Sequence, residues 1–81
     1  MRLDKFLKVS RVIKRRTVAN EACDSGRVMI NGRIAKASSN VKCGDIVEIK
    51  FGEKTIKFEI TRVDEIIKKE EASEMFKIIE E

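Results

Sequence analysis

Residues 11–34, RVIKRRTVANEACDSGRVMINGRI, decide how this chain folds. The stretch opens on four cations, Arg11, Lys14, Arg15 and Arg16. Thr17 follows and offers a hydroxyl as a helix cap. Val18, Ala19, Ala22 and Cys23 then recur at helical spacing and predict one apolar stripe on a helix over about residues 17–25. Gly26 stands where a helix end favours positive φ. Val28-Met29-Ile30 is a short apolar run, and Asn31-Gly32 is the strongest short signal for a hairpin. Arg27, Arg33 and Lys36 return positive charge beside the first cluster. The pattern predicts a small scaffold that holds cations in a fixed array.

Outward from this stretch, the N-terminal side carries Leu3, Phe6 and Leu7 at helical spacing. Arg2, Lys5 and Lys8 surround them, so a first helix is expected over about residues 3–9 with cations along one flank. Asp4 and Lys8 are spaced for an i,i+4 pair on it. On the C-terminal side, a brief return strand over 33–35 leads to a polar connection, 37–40. A strand follows from Ile46 to Lys50. Phe51 is assigned to the turn after it. Thr55 to Thr61 alternates, with Ile56, Phe58 and Ile60 on one face, as a half-buried strand does. Ala72, Met75, Phe76 and Ile79 then recur at i, i+3, i+4 and i+7, which predicts an amphipathic C-terminal helix over about 68–79. It would cover the sheet or dock a partner, with Met75 and Phe76 as anchors in either case. The expected fold class is α+β, with one domain over 1–64 and a helical extension of it over 65–81.

The 81 residues leave no room for a second domain and little for a deep catalytic cavity. Charged residues make up 40% of the chain, and they are segregated. Residues 1–36 carry a balance of +7 and residues 37–81 a balance of −3. Such polarity in a small domain points to a polyanion on one side. Histidine is absent and the two cysteines, Cys23 and Cys43, lie twenty residues apart, which removes the usual zinc spacings. No phosphate-cradling glycine motif and no metal cluster is present, so neither a catalytic residue, a metal nor a cofactor is expected. Asp24-Ser25 beside Arg27 reads as a polar helix end. The N-terminus MRLDKFLK has no apolar core of a signal peptide, and no apolar run exceeds three residues. A cytoplasmic chain with reduced thiols and no membrane contact is expected.

Trp and Tyr are absent, and three of the four Phe fall on apolar stripes. Single-strand binders stack bases on exposed aromatics. The expectation is therefore recognition of backbone and shape in structured RNA, with arginine forks on phosphates. Composition alone does not separate RNA from DNA.

Arg2-Leu3-Asp4-Lys5, Arg15-Arg16, the run from Gly26 to Gly32 and Gly44-Asp45-Ile46 occur in an order and spacing that resemble the S4 RNA-binding domain, over about residues 1–50. The resemblance implies two short helices packed on a small, mainly antiparallel sheet (the alpha-L fold), with RNA along the helical face. It implies RNA contacts at Arg2, Lys5, Arg11, Arg15, Arg16, Arg27 and Asn31, with Lys14 and Lys36 as helpers. Arg15-Arg16-Thr17-Val18 departs from the family's usual Arg-Arg-x-Ala helix start. Asn31 could equally serve only the turn. A short free-standing chain of this kind is similar to the RqcP family of ribosome-associated proteins, relatives of the heat-shock S4 proteins. That similarity implies binding to large ribosomal subunits obstructed by peptidyl-tRNA, contact with rRNA and tRNA, and assistance to the tailing of the stalled nascent chain beside an RqcH-type partner; a monomer is expected. A generic structured-RNA accessory or chaperone, and a protein adaptor acting through the C-terminal helix, are the alternatives. All RNA readings require Arg2, Arg16 and Arg27 to share a surface.

Overall fold

The computed structural model describes residues 1–79. Helix α1 spans Leu3–Val9 and α2 spans Arg16–Asp24. Strands β1 (Val28–Ile30), β2 (Arg33–Ile34), β3 (Ile46–Phe51) and β4 (Lys54–Ile60) follow. A 3-10 helix, Lys69–Met75, leads into β5, Phe76–Ile78. The sheet order is β2-β1-β3-β4-β5, and every neighbouring pair is antiparallel.

Alternation along the strands decides which face is buried. Val47 and Ile49 of β3 and Phe58 and Ile60 of β4 point inward and are fully buried. They meet Leu3, Phe6 and Leu7 of α1 and Ala19, Ala22 and Cys23 of α2. The Phe6 and Phe58 rings lie 6.2 Å apart, and Phe58 in turn meets Phe76 at 5.3 Å. Each large side chain buried this way contributes about 1.5–3 kcal/mol relative to exposure. The opposite face carries charge, including the Lys57–Glu48 cross-strand pair at 3.7 Å.

Asn31 and Gly32 both have positive φ, 51° and 83°, the geometry of a type I′ hairpin turn. That turn fixes the register Ile30 opposite Arg33.

Three local expectations are corrected. Helix α2 starts at Arg16, with Arg15 in extended backbone as its cap and no side-chain capping bond. Thr17 already lies inside the first turn, so its hydroxyl is misplaced for the role. Val18 is 46% exposed; the buried stripe is Ala19, Ala22 and Cys23.

The third correction is at the C-terminus. The helical segment is a tighter 3-10 helix that stops at Met75, and the expected last turn is instead β5. Its residues continue the sheet, with Phe76 opposite Ile60 and Ile78 opposite Phe58. Without β5, the outer backbone groups of β4 would face water unpaired, and Ile78-Ile79 are β-branched and suit a strand. The Ile79 N–H donates to the Lys57 carbonyl at 2.9 Å. Met75 is wholly buried and Phe76 half-buried, so both are engaged with the core. Arg62, just past β4, holds the 3-10 helix through ion pairs to Glu71 and Glu74, both at 3.5 Å, and also pairs with Asp64.

Candidate nucleic-acid interface

The cation array is built around one buried carboxylate. Asp4, in the first turn of α1, is 2% exposed. Its oxygens accept from Arg2 Nε at 3.1 Å, Arg16 Nε at 3.4 Å, Asn20 Nδ2 at 3.3 Å and the Lys5 N–H at 2.8 Å. The i,i+4 pairing with Lys8 expected from spacing gives way to this arrangement. The reason is direction: Asp4 points toward α2, where two donors wait, and not along its own helix. Burial pushes the Asp4 carboxyl up, but the bonds from Asn20, Arg16, Arg2 and the Lys5 N–H outweigh it and hold the group below its ordinary value.

A loop from β2 completes the frame. The Leu3 and Asp4 N–H groups at the start of α1 have no partner within the helix. They donate instead to the carbonyls of Ser39 (2.7 Å) and Ala37 (3.2 Å). Asp24, closing α2, accepts the Ala37 N–H at 3.2 Å. The loop is thereby pinned between both helices, and Lys36 lines one shallow depression together with Arg2, Asn20 and Asp24. Arg2 and Arg16 each keep about half of their side-chain surface in water. Their charges are thus oriented from below and accessible from above.

The other predicted cations are distributed around this centre. Arg15 is exposed at the cap of α2. Lys5 pairs with Glu65 at 3.4 Å. Arg11, whose φ is 62°, and Lys14 line a cleft of about 440 Å³ beyond the far end of α1, with Lys8, Lys68 and Lys69. Arg27 does not join Arg2 and Arg16, so the single surface expected for the three is corrected: Arg2 and Arg16 gather on Asp4, Arg27 lies apart beside Lys50, and the cation array rests on the Arg2–Arg16 pair. Gly26, at φ 81°, turns the chain at the end of α2, and the Arg27 carbonyl accepts the Lys50 N–H at 2.9 Å. Arg27 therefore stands beside β3, at the opposite end of α2 from Arg16. Asn31 uses both ends of its amide within the protein: Nδ2 donates to Asp45 at 3.1 Å and Oδ1 accepts the Ile46 N–H at 2.9 Å.

The array can hold phosphates with guanidinium donors whose positions are set before binding. Among the described residues no group of three metal-ligating side chains occurs. Asp4 and Asn20 were not legible as functional from the sequence. The sequence places Asp4 in the Arg2-Leu3-Asp4-Lys5 motif without a functional role of its own, and Asn20, with Arg16, Thr17 and Asp24 for helical neighbours, carries no local signal.

The profile of the S4 domain matches residues 1–47. Two relatives named RQC P-site tRNA stabilizing factor align with all 81 residues. The one from Halalkalibacterium halodurans is 56% identical with 92% of its length covered, and the one from Bacillus subtilis is 54% identical with 94% covered. Among solved structures, Vibrio cholerae heat shock protein 15, described as trimeric, superposes with a TM-score of 0.88 at 28% identity, over 98% of this chain and 81% of that one. The solution structure of the hypothetical protein HP1423 superposes at 0.83 and 29% identity, over 100% and 99%.

Proposed function

Since the chain belongs to the S4 domain family, and within it to the RQC P-site tRNA stabilizing factors, we propose that it is a non-catalytic protein that grips structured RNA on obstructed large ribosomal subunits, contacting rRNA and P-site tRNA during ribosome-associated quality control. The observation that carries this reading is the full-length identity of 54–56% to relatives bearing that name. The chemistry is supplied by the first half of the chain. Arg2, just before α1, and Arg16, at the start of α2, are drawn onto Asp4 and present donors at a fixed separation, as the phosphates of a folded RNA require. Lys36 extends the contact on one side, and Arg11, Lys14 and Arg15 extend it on the other. Asn31 supports the surface by fixing the β1–β2 turn. No step of bond making is assigned to the protein: its work is to bind and hold.

The reading places the protein with cytoplasmic ribosomes, as a monomer, beside an RqcH-type partner. No helix among the described residues is long and apolar enough to cross a membrane. The test is co-sedimentation with purified large subunits, with and without bound peptidyl-tRNA. Enrichment on the obstructed subunits, lost in the Arg2→Ala/Arg16→Ala double variant, is expected. Equal recovery from empty subunits and ribosome-free fractions overturns the proposal.

A further inference from the structure

The second half of α2 and the tip of the β3–β4 hairpin enclose a separate cleft of about 300 Å³. Phe51 continues the inward-facing series Val47, Ile49, but it lies beyond the edge of the core and is 39% exposed. Val18, also exposed, lies across from it on α2. Arg27 and Lys50 line the same cleft, with Glu21 at its rim. The sequence alone offers no exposed aromatic; the fold supplies one, in a cleft that Arg27 and Lys50 also line.

We propose that this cleft takes one unpaired nucleotide of the bound RNA, its base stacked on Phe51 and its phosphates on Arg27 and Lys50. A flat ring sharing a cleft with two cations matches a nucleotide, which is a flat ring joined to anions. An apolar peptide would have to bury the Arg27 and Lys50 charges without pairing them, which is costly. Glu21 lines the same cleft and can accept from an amino group of the base. Glu21 also lines the depression beside Asp4, Arg16 and Asn20, so the two places adjoin along α2. A helix of nine residues is about 13 Å long, a distance one RNA strand readily spans. The inference rests on the RNA-binding reading above and names a second contact on the same ligand.

The probes are a stem-loop RNA with a single-nucleotide bulge and the fully paired version of the same stem. The chain has neither Trp nor Tyr, so Phe51→Trp introduces a lone fluorophore. Quenching of that fluorophore by the bulged stem, and little by the paired stem, is expected. Phe51→Leu, at a half-exposed site that leaves the core intact, is expected to weaken the bulged complex about tenfold, the order of one base–aromatic stack. It should leave the paired complex unchanged. If Phe51→Trp is not quenched, or Phe51→Leu binds both stems as the parent does, the stacking proposal fails. If Phe51→Leu loses large-subunit binding yet keeps both RNA affinities, the cleft serves a protein partner and the proposal is also overturned. The Arg2→Ala/Arg16→Ala variant separates the two readings: if it too binds both stems unchanged, the RNA reading itself falls.

Discussion

Replacing Asp4 by Asn keeps the side chain's shape and removes its charge. In the parent protein the carboxylate accepts from four donors: Arg2, Arg16, Asn20 and the Lys5 N–H. The amide retains one accepting oxygen and turns an NH2 group toward donors. A bond to a buried charged group contributes about 1.5–3 kcal/mol. Arg2 and Arg16 are half in water, so their shares fall toward ~0.5–1 kcal/mol each. Together with the 3.3 Å Asn20 bond, the loss should be about 2 kcal/mol, or on the order of 10 °C in Tm for a domain of this size. The sign with pH follows from the direction of the shift. The folded-state pKa of Asp4 lies below its ordinary value of 3.8. Its contribution is therefore complete above about pH 4 and is lost as pH falls through the lower, folded-state value. Thermal melts of both proteins from pH 7 to pH 2.5 should differ by a constant gap that closes only below about pH 4. A gap that persists unchanged to the lowest pH would mean that shape, not charge, matters at this position. No gap at pH 7 would refute the organising role outright.

Three further outcomes are expected. For Arg16→Ala, RNA affinity should fall across all structured sequences, and the log–log salt slope, roughly −4 to −5 for six phosphate contacts, should become shallower by about one. Met75→Ala should cost about 2–5 kcal/mol in urea unfolding, because the side chain is wholly buried; truncation after Val63, which also removes β5, should leave no cooperative transition. A maleimide reagent at neutral pH should modify one thiol in the native protein and two in denaturant. Burial, with Asp4 and Asp24 nearby, pushes the Cys23 thiol up to about 11, whereas Cys43 is exposed.

Features set by neighbours in sequence were readable from the sequence. The α1 stripe, the Asn31-Gly32 turn and the alternation from Thr55 to Thr61 all rest on contacts within a few residues, and each forms where its pattern places it. What escaped depends on distant partners. Asp4 meets Arg16 and Asn20 across 12 and 16 positions, and no local spacing encodes that meeting. The pattern at Ala72, Met75, Phe76 and Ile79 fits a helix period, yet the open edge of β4 outweighed it from Phe76 onward. Phe51 looked like a turn residue because its exposure is decided by where the core ends, not by its own alternation.

Arg16 reaches Asp4 through Nε, the nitrogen nearest the chain, and Arg2 through Nε with one terminal nitrogen at 3.4 Å. A guanidinium can be tethered there and still extend its terminal nitrogens toward a second anion. Lysine carries its three donors on one nitrogen, so it lacks the reach between an inner anchor and an outer ligand that a guanidinium spans. Arginine-to-lysine exchange at either position, conservative by charge, would thus lose the spacing that lets one side chain serve both anions. The mild substitution should be nearly as harmful as the drastic one.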